Sequence, residues 1–332
     1  MTLLRGVDGV TILGIGKALP DREAPTAAPR PGVAASRRPR LADLEPLRRY
    51  WTHTPGTPAD HSELTSQDLA IAAAGAALAD SGLAPAAIGG LVLVTTTPPR
   101  PSVSTANHVA RALGLGGFAF ELKAGCAGGI YGLAVAASLL SLGAGNVLLV
   151  AAEAWTKLLP DDPGGPASVA GDGAAAVVLG QGGGALLGAS LHVSPEFAAA
   201  MMPPGLYPPT AEAIAAGAYQ LRVTEDVAEA VRDLYPQVFG EALEAAGLGV
   251  ADIDLLIPHQ ASPQILRRAI RDLGVPAGRV FHTLGTYGNA SSASVLLSLC
   301  DARADGRLPA GARVALVAVG GGIAGASAVL RL

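Results

Sequence analysis

Residues 117–153, GFAFELKAGCAGGIYGLAVAASLLSLGAGNVLLVAAE, read as a strand, a helix and a second strand, with a cysteine at the first junction. "GFAFEL" is a short apolar run opened by glycine. The stretch from there to about Leu142 has the small and aliphatic residues of a packed helix, and "NVLLVAAE" is the unbroken apolar run of a strand covered on both faces. Strand, helix and strand in succession point to an α/β fold. Cys126 lies between glycines at the helix mouth, where N–H groups and the partial positive charge of the helix end favour a thiolate and small neighbours expose the sulfur. A lone cysteine is more often a small buried hydrophobe than a catalyst, so its position alone does not make it a nucleophile.

The same alternation continues on either side. Upstream, Val10–Ile15 reads as a first strand. "TSQDLAIAAAGAALADSGL" opens with a Thr/Ser cap and an acidic first turn and runs as a helix to Gly82; "GGLVLVTTT" is a buried strand and "STANHVARALGL" a second helix. Downstream, "GDGAAAVVLG" is a turn and strand, and "VTEDVAEAVRDLYPQVFGEALEAAGL" is helical. "IDLLIPHQ" is a strand ending in polar residues, "SPQILRRAIRDLG" a helix, and "ARVALVAVGGG" a strand running into glycines. "GNVLLVAAEA" and "ARVALVAVGG" share a pattern of turn, apolar strand and small residues, an echo too short to establish duplication by itself. Residues 20–40, rich in Pro, Ala and Arg, read as a loop; its basic residues, with Arg48 and Arg49, can meet a phosphate or simply be solvated.

Composition narrows the function classes. The 332 residues are half hydrophobic and only 15% charged, enough for a large core, while 4% aromatics and 43 glycines make that core one of small side chains and close backbone approach. A formal net charge of −4 exerts no general pull on nucleic acid. Cys126 and Cys300 form no disulfide framework, the N-terminus is strand-like rather than a signal core, and "AVAASLLSLGAGNVLLVAA" is broken by Gly143, Gly145 and Asn146 before it could span a bilayer. A cytoplasmic protein without membrane or nucleic-acid partners is expected.

Three polar positions follow apolar runs or glycine turns: Cys126, His259 in "LLIPHQAS" and Asn289 in "GTYGNASSAS". In open α/β sheets reactive residues gather beyond strand ends. Taken singly, His259 can be a satisfied core histidine and Asn289 a turn residue. Other motifs fail: "GIGKAL" lacks the third glycine of a dinucleotide fingerprint, and no phosphate-binding GxxxxGK[ST] loop or GxSxG serine is present. His53, His61, His108, His192 and His282 show no metal-ligand spacing, so no metal is expected.

The motifs "AGCAGGIYGL", "GDGAAAVVL", "PHQAS", "YGNASSAS" and "VGGGIAGASAVL", in that order, make the chain resemble a thiolase-superfamily condensing enzyme of the β-ketoacyl-acyl-carrier-protein synthase III type, from about Val10 to the end. The resemblance implies two similar βαβαβαββ halves, residues 1–180 and 181–332, packed as a five-layer α-β-α-β-α sandwich, and a homodimer, for which "FAFELKAG" suits edge pairing. By motif position Cys126 resembles the nucleophile that takes an acyl group from a thioester. His259 and Asn289 resemble the pair that binds the second thioester carbonyl. Gly321 resembles the residue whose backbone N–H joins that of Cys126 in an oxyanion hole. The implied partners are acyl-coenzyme A or acyl-carrier-protein thioesters, with no cofactor.

The chain also departs from that pattern. Of the family's Trp and Arg-Thr-Gly-Ile stretch that grips pantetheine, "RRYWTHTPGTPADHSE" keeps Trp51. The basic residue after the catalytic His falls at Gln264, and the bulky residue that narrows the neighbouring subunit's pocket is replaced by Ser102 and Val103. These changes point to a specialised acyl group and a secondary-metabolic pathway. The expected reaction is decarboxylative condensation of a Cys126-bound acyl group with a malonyl-type thioester. The alternative keeps Cys126 but delivers the acyl group to a hydroxyl or amine, with His259 as base. A catalytically silent partner subunit and Cys-dependent hydrolysis fit less well, because the nucleophile is intact and hydrolysis leaves "YGNASSAS" unexplained.

Overall fold

The computed structural model describes residues 2–23, 49–52, 63–160, 165–223 and 227–332. In chain order the elements are β1 (Thr2–Ala18), α1 (Ser66–Ser81), β2 (Ile88–Val94), α2 (Thr105–Leu113), β3 (Phe118–Leu122), α3 (Gly128–Ser141), β4 (Asn146–Glu153) and β5 (Gly173–Val193). They continue with β6 (Met201–Met202), α4 (Ala211–Ala215), β7 (Arg222–Val223), α5 (Val227–Ala246), β8 (Leu255–Pro258), α6 (Pro263–Asp272), α7 (Leu284–Tyr287), α8 (Ser294–Ala304), β9 (Arg313–Gly320) and β10 (Ala324–Arg331). Local chemistry sets several boundaries. Thr65 and Asp68 form a reciprocal capping box at the start of α1, and Gly82, with φ of 66°, ends it in the left-handed conformation.

Strand pairing reveals two like halves. On one side the order is β3-β2-β4-β5-β1, with β2 parallel to β3 and β4, and β5 antiparallel to β4 and β1. On the other, a parallel bridge from Val280 to Leu256 takes the place of β3, followed by β8, β9, β10 and the second part of β5, again parallel, parallel, antiparallel, antiparallel. β4 and β9, whose sequences echo each other, hold corresponding places. The halves share long strands rather than a linker: β5 runs unbroken through residue 180, and β1 pairs with it from Thr2↔Leu191 to Ala18↔Ala174. β1 is therefore much longer than the Val10–Ile15 read from sequence. From residue 24 on, the loop expected over 20–40 lies outside the described residues, as do Arg48, His53 and His61.

Three apolar clusters fill the spaces between layers. α1 and α2 cover one face of the first sheet through Leu69, Leu78, Leu91, Leu93 and Val109. α3 and α8 lie between the sheets, where Ile130, Leu133 and Leu296 meet Val92, Leu149, Ile257 and Leu316. α5 and α6 cover the outer face of the second sheet through Leu234, Val238, Leu256 and Val317. The alternation Leu91/Val92/Leu93/Val94 thus divides one strand between two cores, the period-two logic of a pleated strand. Each wholly buried aliphatic side chain contributes about 1.5–3 kcal/mol. The result is the five-layer α-β-α-β-α arrangement. α3 approaches the first sheet on glycine: a Cβ on Gly132 would lie 2.6 Å from Val94 Cγ2 and 2.7 Å from Leu149 Cδ1.

Candidate active site

The site forms where chain segments leave the sheets. Cys126 occupies a single helical turn, Gly125–Ala127, between β3 and α3. The glycine turn after β9 closes on it so tightly that a Cβ on Gly320 would lie 2.4 Å from Cys126 Cβ and 2.9 Å from its Sγ, and one on Gly125 would lie 2.7 Å from Gly321 O. The backbone N–H groups of Gly321 and of Cys126 itself point at the sulfur, and Ser291 Oγ lies 3.7 Å from it. Contrary to the expectation of an exposed sulfur held as thiolate, Cys126 is only 7% exposed and burial pushes its thiol up to about 11. The N–H groups act in the expected direction, but loss of water outweighs them. Cys300 is an ordinary buried thiol on α8, 3.5 Å from Gly16 O.

His259 follows β8, and its N–H donates to Val317 O on β9 at 2.7 Å. Its ring is buried, its Nδ1 has no partner among the described residues, and burial pushes its pKa down to about 3. At neutral pH the imidazole is therefore uncharged. Asn289 is held on several sides. Its N–H donates to Val169 O at 2.7 Å, and its carbonyl accepts from Gly171 N and from Trp155 Nε1. The side-chain Oδ1 accepts from Ser291 N at 2.8 Å, and Nδ2 donates to Ala261 O at 3.1 Å, its second hydrogen meeting no acceptor among the described residues. Gly288, at φ 69°, makes this turn possible, since a Cβ there would meet Val169 O at 2.5 Å. Ser291 thus touches both Cys126 and Asn289, and Asn289 is tied to the segment carrying His259. One hydrogen-bonded assembly joins residues from both halves.

A cavity of ≈ 1040 Å³ opens over this floor. Cys126, Ser291 and Gly321 line it at the reactive end, with Thr96, Thr97 and Pro98 after β2 on one wall and Met201, Tyr207 and Tyr219 on another. The second wall comes from residues 194–223, whose Pro-, Gly- and Ala-rich composition carries no periodicity by which to read it. His259, Asn289, Trp51, Ser102 and Gln264 do not line this cavity. Trp51 is half-buried, donating from Nε1 to Ala170 O at 3.0 Å beneath the Arg49 guanidinium, while Ser102 and Gln264 are exposed. Beneath the floor lies a wholly buried carboxylate, Glu153, which accepts from Thr96, Thr97 and Ser292. A polar residue closing an apolar strand was the signal that singled out His259; the same signal marks Glu153 at the end of "NVLLVAAE". Among the described residues no group of three or more His, Cys, Asp or Glu gathers as a metal site, and no helix is long and apolar enough to cross a membrane.

Comparison with known proteins agrees with the geometry. Residues 120–195 match the family model described as 3-oxoacyl-[acyl-carrier-protein (ACP)] synthase III, and residues 243–332 match that of its C-terminal part. The chain is 38% identical over 284 residues to a β-ketoacyl-[acyl-carrier-protein] synthase III of Rhodospirillum rubrum, covering 82% of this chain and 86% of that one. The crystal structure of 3-oxoacyl-(acyl carrier protein) synthase III from Pseudomonas aeruginosa PAO1 superposes with a TM-score of 0.82 at 29% identity, covering 97% and 98% of the two chains. The priming β-ketosynthase from the R1128 polyketide biosynthetic pathway does so with a TM-score of 0.82 at 25% identity, covering 99% and 98%. With that likeness running almost end to end, this chain belongs to the 3-oxoacyl-[acyl-carrier-protein] synthase III family of the thiolase superfamily and is a β-ketoacyl synthase III-like acyltransferase.

Proposed function

We propose that the enzyme takes an acyl group from a coenzyme A or carrier-protein thioester onto Cys126 and condenses it with a malonyl-type thioester in a specialised pathway. The observation that carries this is the seat of Cys126: a sulfur at the floor of a large cavity, faced by the N–H groups of Gly321 and Cys126. The Cys126 sulfur, giving up its proton, attacks the donor thioester. Those two N–H groups hold the developing oxyanion, and the donor thiol leaves with a proton. One thioester replaces another, so the transfer is close to isoenergetic. The malonyl-type thioester then places its carbonyl oxygen toward His259 and the second Nδ2 hydrogen of Asn289, both buried and outside the cavity lining in this structure, so the step requires the cavity to open to them past Ser291. An uncharged imidazole and an amide stabilise the enolate oxygen as the C–C bond to the carboxylate breaks and CO2 departs. The enolate carbon attacks the acyl carbonyl, the C–S bond to Cys126 breaks, and the thiol is regenerated by a proton from solvent.

The specialised role is supported by the departures around Trp51 and Gln264, by small Ser102 and Val103, and by the likeness to a polyketide priming ketosynthase. On this reading residues 1–180 supply the nucleophile and 181–332 the His259–Asn289 pair, in a cytoplasmic homodimer. Transfer to a hydroxyl or amine is not favoured, since an enolate-holding amide has no use there. The test is intact-protein mass spectrometry after exposure to a panel of acyl-thioesters, followed by peptide mapping. The acyl mass is expected on Cys126 and absent from Cys126→Ala; an acyl mass on Cys300, or one that persists in the variant, overturns the reading.

A further inference from the structure

Glu153 touches none of the reacting atoms described above, yet it organises the ground beneath them. Its Oε2 accepts from Thr96 Oγ1 at 2.7 Å and from Thr97 Oγ1 at 3.0 Å. The Thr96 N–H lies 3.1 Å from both oxygens, and Oε1 accepts from Ser292 Oγ. Every partner can donate, which favours the ionised carboxylate, but burial favours the neutral form and pushes the Glu153 carboxyl up to about 7, so it is fully ionised only in the alkaline range where the Cys126 thiol titrates. Thr96 and Thr97 belong to the cavity wall. Ser292 belongs to the turn 291–293, which itself carries the Ser291 hydroxyl beside Cys126 and follows the Asn289 amide with one residue between. The first turn of α3 rests on the same serine: a Cβ on Gly128 would lie 3.3 Å from Ser292 Cβ, and one on Gly129 would lie 2.7 Å from Ser292 O.

We propose that Glu153 is a positioning residue of the condensation, locking the Asn289–Ser292 turn, the helix mouth of Cys126 and the Thr96–Thr97 wall into one register. Glutamine keeps the size but has one acceptor oxygen and no charge, so its NH2 group must donate to the Ser292 or a threonine hydroxyl where the carboxylate accepted, which reverses that bond and weakens the tie. The groups around Glu153 are the Thr96, Thr97 and Ser292 donors and, across the turn, the Cys126 thiol, whose ionisation its negative charge opposes. Position and charge therefore separate in experiment. A carboxylate that merely holds the fold would affect every reaction of Cys126 in the same sense. A positioning carboxylate whose charge also bears on the thiol gives opposite signs.

The inference rests on the condensation reading and is tested with E153Q and S292A in the full chain. Three measurements are made: acyl loading by mass, CO2 release from a malonyl-thioester, and the pH dependence of Cys126 alkylation by iodoacetamide. E153Q is expected to release CO2 at least about tenfold more slowly, the scale of a misplaced reacting group. Its alkylation midpoint should fall by about one pH unit as the opposing charge is removed. S292A, which cuts the tie but keeps the charge, should lose condensation without moving the midpoint. Wild-type CO2 release from E153Q, or an unmoved alkylation midpoint, overturns the proposal. If E153Q does not fold, S292A decides, and undiminished condensation there overturns it. A wild-type protein that releases no CO2 from any malonyl-thioester defeats the condensation reading instead, which the alkylation arm does not depend on.

Discussion

Asn289 is the residue whose removal separates the two half-reactions. Its Oδ1 and one Nδ2 hydrogen are spent on Ser291 N and Ala261 O, so Asn289→Ala deletes one donor for the enolate and loosens the turn, but leaves Cys126 and Gly321 in place. Acyl loading should persist, while CO2 release falls about a hundredfold or more, the scale of losing one oxyanion donor. Loss of both together would mean the amide serves the nucleophile instead. His259 makes a prediction in pH. Its folded-state pKa, about 3, lies below the unfolded value near 6.5, so between these values the unfolded chain binds more protons and stability falls as pH is lowered. Melting temperature measured from pH 7 to pH 4 should therefore drop less steeply in His259→Gln than in the wild type, and an equally steep drop contradicts the buried, uncharged imidazole.

Helix α3 packs by means of what it lacks. A Cβ on Gly132 would intrude on Val94 and Leu149, whereas one on Gly75 of α1 would meet only Leu113 Cδ2, at an ordinary 3.8 Å. Gly132→Ala should destabilise by about 1–3 kcal/mol through overpacking. Gly75→Ala should stabilise by about 0.5–1 kcal/mol through reduced freedom of the unfolded chain. Chemical denaturation of the two variants tests the pair, and equal signs would refute the packing argument. These elements were largely legible in the sequence. The capping box of α1, Gly82 at its end, and the runs of β2, β4, β8 and β9 follow from residues adjacent in the chain, where propensity and periodicity act. The cavity wall from 194 to 223 was not, because β6, α4 and β7 are too short to show a period.

In the whole molecule β3 stands at the sheet edge, with all five residues half-buried and Phe118 and Phe120 stacked at 6.0 Å. An edge of this kind leaves backbone donors and acceptors for another strand. The homodimer proposed above would pair two copies along this edge about a two-fold axis. Sedimentation should show a dimer at micromolar concentration, and Phe120→Glu, by setting charges against each other across that axis, should yield monomers with reduced condensation. A fully active wild-type monomer would rule the arrangement out.

The sequence alone determined the α/β class, most of the elements, and three chemically marked positions at strand ends and glycine turns, since each is written in a few neighbouring residues. The tertiary structure decided what those positions are like. Gly320 and Gly321 close over Cys126 from nearly two hundred residues away, Ser291 arrives from the opposite half, and Glu153 is surrounded by donors from two other segments. Helix-end electrostatics, a local property, favours the thiolate; desolvation, which depends on whatever else covers the sulfur, reverses that preference and equally leaves His259 uncharged. Burial is a sum over the whole chain, and no window of sequence contains it.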